Sequence, residues 1–228
     1  MLSRTLYAAF VAGAAAGVLL FVLQSWTTLP LIHQAERYER AEAPVHPHSH
    51  ANEPSDNKLV RAAYTTTGDV LVGIGFAMLL AAVYALSGNS GLVPGLLWGL
   101  AGFATFHLGP ALVVPPSTPA FELAPLSIRQ AAWLIAAFCT GLGLAIFVFG
   151  PKAAKIGGLL LLFLPSVLFR FLFPVSASDI PSPDLSALQH LFSIYVLGDF
   201  LLFWLVLGAL SGHLFEPSAD FHSDAGLT

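Results

Sequence analysis

Apolar runs of similar length, broken by short stretches of turn-forming residues, set the pattern of this chain. A helix crossing a bilayer needs about 20 largely apolar residues in succession. Segments 6–26, 66–86, 92–112, 130–149, 156–173 and 189–211 meet that ruler. The pattern predicts an all-α, polytopic integral membrane protein, a single membrane domain of six transmembrane helices. Two breaks carry turn chemistry, Ser87-Gly88-Asn89-Ser90-Gly91 and Gly150-Pro151-Lys152-Ala153-Ala154-Lys155. Each should fold the helices on either side of it into a hairpin.

The first and fifth runs are less regular. Segment 6–26 follows Arg4 as a secretory leader would, but about 21 residues is long for a signal core. Ser25-Trp26-Thr27-Thr28-Leu29-Pro30 also lacks a small-x-small cleavage site, so the segment reads as a retained helix. In the fifth run Pro165 interrupts the middle and Arg170 lies near the end. A kink is expected there, with the arginine snorkelling to the interface, and five spans is the alternative count.

Between the runs, Glu36, Arg37, Glu39 and Arg40 alternate in sign and suit a short helix continuing from the first span. Segment 41–58 is rich in Pro, His, Ser, Asn and Glu, which predicts a flexible, His-rich loop. Pro115, Pro116, Pro119 and Pro125 predict an extended third loop, and 213–228 reads as an acidic tail. The pairs Gly13/Gly17, Gly95/Gly99 and Gly208/Gly212 let helix backbones approach closely in lipid, either within the chain or between two copies in a homo-oligomer.

Composition narrows the function. Of 228 residues 56% are hydrophobic and only 10% charged, against roughly 25% charged in a soluble domain. So few charges cannot cover a soluble surface, and the lipid bilayer is the expected surroundings. A net charge of -4 with 9 Lys and Arg excludes the clustered basic face that nucleic acid requires. Cys139 is the one cysteine, so neither an intrachain disulfide nor a thiolate metal site can form from this chain. With no Gly-x-x-x-x-Gly-Lys-Ser/Thr loop, no His-Glu-x-x-His and no repeated His-x-x-x-His box, neither nucleotide hydrolysis nor an intramembrane enzyme is expected.

What remains is ligand chemistry. In His46-Pro47-His48-Ser49-His50, residues two apart in an extended chain share a side roughly 6 to 7 Å apart. Slight bending would bring His46, His48 and His50 to one cation, and the alternative is a polar loop that happens to be His-rich. His107 lies within the third run, where an ionisable group is costly and usually faces a partner or a wet path. Its other reading is a neutral histidine bonded to a carbonyl freed by Pro110. Asp199, near the middle of the last span, is either a cation or proton site or a structural polar contact, with Tyr195 one turn away as its expected partner.

Counting spans puts His33, His46 to His50, Asp69, His107 and His190 on or nearest the long-loop side. His213, Glu216, Asp220, His222 and Asp224 fall on the other. The ligands thus lie along a path, with His46, His48, His50, His107 and Asp199 as the metal candidates and His33, Asp69, His190 and Tyr195 as accessories. Only Met78 follows the initiating methionine, so a Cu(I) route is disfavoured and a divalent first-row ion on nitrogen and oxygen ligands fits better. No tightly bound cofactor is expected.

Several short motifs, in order, resemble the cobalt transporter subunit family CbtA. They are Ala35-Glu36-Arg37-Tyr38-Glu39, Thr67-Gly68-Asp69 with Leu71-Val72-Gly73-Ile74-Gly75-Phe76, Trp98-Gly99-Leu100-Ala101-Gly102-Phe103, Leu108-Gly109-Pro110-Ala111-Leu112, and Pro115-Pro116 followed by Arg129-Gln130-Ala131-Ala132-Trp133-Leu134. The resemblance implies an integral-membrane cobalt uptake component of the bacterial cytoplasmic membrane, linked to cobalamin supply. It also implies a small one-helix partner, CbtB, with a histidine-bearing terminus, and Co(II) as cargo. The alternative is a non-transporting scaffold or metal sensor that delivers ions to a partner complex. Orientation divides two arguments. Arg37, Arg40, Lys58, Arg61, Arg129 and Arg170 outnumber Arg4, Lys152 and Lys155, which draws the long loop to the cytoplasm, whereas an importer needs its capture loop outside.

Overall fold

The computed structural model describes residues 2–42, 58–118, 125–172 and 183–215. They form α1 (Leu2–Trp26), α2 (Thr28–Glu42), α3 (Lys58–Ser87), α4 (Leu92–Phe103), α5 (Gly109–Val113), α6 (Leu126–Phe149), α7 (Lys155–Leu172) and α8 (Pro183–Leu214). A π turn, Ala104–Leu108, joins α4 to α5, so the two make one bent rod. Six helices of the described residues are long and apolar enough to cross a membrane. The chain is an all-α, multi-pass membrane protein.

Small residues decide which helices meet. Ala9, Ala12, Gly13, Ala16 and Gly17 form the buried stripe of α1. A Cβ on Gly13 would collide with the backbone of Gly73 and Ile74 in α3, and one on Gly17 with Asp69 and Val70. On the other side α4 crosses α8 in the same manner. Gly95 lies against Gly208, Gly99 against the carbonyl of Trp204, and Gly212 against that of Gly91. The Gly91 N–H even donates across the helices to the Gly212 carbonyl at 2.8 Å. Where lipid offers no hydrophobic drive, such backbone contact is the main source of helix association. Phe203, Trp204, Leu207, Leu20, Tyr84 and Phe103 fill the space between α1, α3, α4 and α8.

The turn after α3 forms as its composition requires, with Gly88 at φ 67° and Gly91 at φ 117°, where only glycine is unstrained. The hairpin expected around it does not follow. The long partner of α3 is α1 and that of α4 is α8, because the matching glycines lie on those helices. The second hairpin does close. α6 and α7 pack along each other, with Gly143 and Gly158 at their closest approach. Pro165 does not break α7, which runs unbroken from Lys155 to Leu172 with the proline buried within it. The five-span alternative is therefore excluded.

Beyond the bilayer the chain is thicker than the apolar ruler indicates. α8 has 32 residues, about 48 Å at 1.5 Å per residue, against a hydrocarbon core of about 30 Å. Its first turns carry Leu185, Leu188 and Phe192, which pack on Leu31 and Ala35 of α2. α2 turns His33, Gln34 and Arg37 outward, so the alternating charges do lie on a helix. Arg61 of α3 reaches Glu36 of α2 at 3.6 Å, an exposed pair that adds little.

Candidate cation path

Proline chemistry shapes the polar site. Pro110 has no N–H, so the Phe106 carbonyl loses its α-helical donor. The chain answers with one wide turn in which the Gly109 N–H bonds the Ala104 carbonyl. That π turn, a feature frequent at functional sites, swings His107 onto α8. Trp204 Nε1–H donates to His107 Nδ1 at 3.0 Å. The imidazole sits 3.9 Å from the Phe200 ring, parallel to Phe103 within 6°, and 6.4 Å from Phe76. The partner is thus an indole, not the carbonyl freed by Pro110. Because Nδ1 accepts, the neutral ring carries its proton on Nε2, and neither nitrogen is open to a metal until Trp204 moves.

Asp199 is 4% exposed and takes its hydrogen bond from Thr27 Oγ1–H at 2.6 Å. The Thr27 hydroxyl also lies 2.8 Å from the Leu23 carbonyl, so the carbonyl and the carboxylate share its one proton. Tyr195, the partner expected from spacing, is 39% exposed and plays no part. Thr27 follows the last residue of α1. Asp199 therefore lies level with the α1–α2 elbow.

The Asp69 backbone lies against Gly17, ten residues before Thr27 on α1 and so about 15 Å deeper along that helix. Its Oδ2 is buried and no donor of the described residues reaches it. His33 and His190 are exposed on the outer faces of α2 and α8, and His213 is exposed at the other end of α8. His46, His48, His50 and His222 lie outside the described residues. Among the described residues no three His, Cys, Asp or Glu side chains converge as a metal cage would require. Asp199 and His107 are kept apart by α8 itself, since Asp199 looks to α1 whereas Phe200, the next residue, looks to His107.

Spacing along the chain missed three participants. Trp204 is fully buried, and Gly102 makes room for its indole; small residues on α4 opposite a lone tryptophan were the signal. Thr27 was read only as part of an absent cleavage site. Gln189 forms a clasp in which its Oε1 accepts from the Thr118 N–H at 3.0 Å and its Nε2 donates to the Pro116 carbonyl at 2.5 Å. Ser193 also donates to Pro116, at 2.9 Å. This ties the proline segment, with Thr118 wholly buried, across the face of α8 that continues to Phe200 and Trp204. Beside it lies an open pocket of about 540 Å³, lined by Pro115, Arg129, Gln130 and Trp133 among others, whose Trp133 stacks on Phe106.

The family model described as probable cobalt transporter subunit (CbtA) matches residues 2–216. The chain belongs to the CbtA family. Comparison with curated proteins and with solved structures finds no match. Membership makes this CbtA chain a probable cobalt transporter subunit, and the six apolar helices supply the membrane body such a subunit needs. The family is described by transport and not by a catalysed reaction.

Proposed function

We propose that this chain is the membrane-embedded component of a Co(II) uptake system of the bacterial cytoplasmic membrane. It supplies cobalt for cobalamin and works with a small one-helix subunit of the CbtB type. The observation that carries this reading is the family match across nearly the whole chain. The imidazoles of His46, His48 and His50 suit capture of a borderline divalent ion. From there the ion enters at the end of the bundle where Asp199 stands and moves inward toward Asp69 and His107. The Trp204–His107 bond, at 3.0 Å, is the closed state of a gate, since His107 accepts an ion only after the indole lets go. The termini face the cytoplasm, which leaves the capture loop outside.

The test is Co(II) entry into liposomes that hold the purified chain and an entrapped metal indicator. Flux with this chain alone supports a complete path. Flux only after a one-helix partner is added supports the subunit role. No flux in either setting overturns transport and favours the alternative, a membrane scaffold or sensor that hands the ion to another complex. Protease access to the His46 segment in intact cells tests the orientation, and cleavage only after permeabilisation would reverse it.

A further inference from the structure

We infer that Asp69 is the carboxylate that meets the divalent cation inside the bundle. The identity of the cargo rests on the transport reading above, but the site itself can be tested without it. Apart from Asp184 in the first turn of α8, the spans carry two acids, Asp69 and Asp199. An acid at membrane depth is retained where something compensates it. For Asp199 that something is Thr27. For Asp69 the described chain provides nothing at Oδ2, which is buried.

The neighbouring hydroxyls are not in reserve. Thr65, Thr66 and Thr67 bond back to the carbonyls of Arg61, Ala62 and Ala63 at 3.1, 2.8 and 2.7 Å, which holds them on their own helix. Arg61 is turned away to Glu36. Asp69 and Phe76 are seven residues apart on α3, so they share a face, separated by about 10 Å along the helix. Phe76 touches the site described above, with its ring 5.0 Å from Phe106, 4.7 Å from Trp204 and 6.4 Å from His107. Asp69 therefore stands two turns nearer the long loop on the face that looks at the aromatic box. α3 packs along α1 and against α8 but has no extended contact with α4.

Equilibrium dialysis of Co(II) against the full chain in nanodiscs tests the site, in a parent carrying His46→Ser, His48→Ser and His50→Ser so that loop binding does not mask it. The parent should show saturable binding that Asp69→Asn weakens by at least about tenfold and Asp69→Glu partly preserves. Thr67→Val, two residues away on the lipid side, should bind as the parent does. Because Asp69→Asn removes an uncompensated acid, its melting temperature should not fall, whereas a structural acid would lower it. Unchanged binding in Asp69→Asn, no saturable binding in the parent, or failure of Asp69→Asn to fold would each overturn the inference. Loss of binding in Asp69→Asn together with no liposome flux leaves the cation site standing and removes only the transport reading.

Discussion

The α4–α8 crossing and the α6–α7 hairpin are both extensive helix pairs with glycines at their contact, yet the glycines are spread very differently. At the crossing, Gly95, Gly99, Gly208 and Gly212 bring two backbones together over several turns, and Trp204 fills the notch at Gly102. At the hairpin, Gly143 and Gly158 touch at one level, and only 11% of the α7 window is buried, against 33% for α8. The first region holds the His107 box; the second meets lipid along most of its length. Close backbone approach repeated over several turns makes a rigid frame for a polar site, whereas a single glycine contact serves to attach a helix pair to that frame.

The comparison can be broken by adding side chains. Gly208→Leu, placed against the Gly95 carbonyl and the Gly99 backbone, should cost about 3 kcal/mol or more and abolish the monodisperse peak in size-exclusion chromatography. Trp204→Phe keeps a ring but removes the donor from His107 Nδ1. It should cost about 2 kcal/mol, or roughly 4 to 8 °C in melting temperature for a chain of this size, and should change Co(II) flux more than Gly143→Leu does. Gly143→Leu meets the Gly158 carbonyl but also the movable Leu162 side chain, so about 1 kcal/mol is expected, seen as a shift of roughly 2 to 4 °C. Gly157→Leu has nothing within 4 Å and should leave both melting and flux unchanged. If Gly143→Leu proves as damaging as Gly208→Leu, the two regions do not differ as described. A large loss from Gly157→Leu would mean that α7 has a protein partner on its outer face.

Much of the architecture was legible along the chain because the bilayer imposes it locally. A run such as Leu92 to Leu112 must be helical in lipid whatever it packs against, since no other local structure satisfies its backbone. The short helix α2 was legible in the alternating charges of Glu36, Arg37, Glu39 and Arg40, while its buried residues Leu31 and Ala35 meet α8. The candidate site was legible in its residue types and not in its arrangement. The sequence places Asp199 near the middle of the last span, and the structure adds that it faces the α1–α2 elbow. Spacing on one helix points to Tyr195 because it sees only that helix, while Thr27 comes from a position 172 residues away.

By itself the sequence determined the six apolar spans and the small residues through which helices would touch. These follow from composition in a window of one helix, which the bilayer tests segment by segment. Only the tertiary structure decided that α4 pairs with α8 rather than with α3, that Trp204 closes on His107 across 97 residues, and that Asp69 rather than Asp199 is the acid left without a donor at depth. Each of those depends on how two backbones of complementary shape settle together, and the positions that meet are set by glycines far apart in the chain.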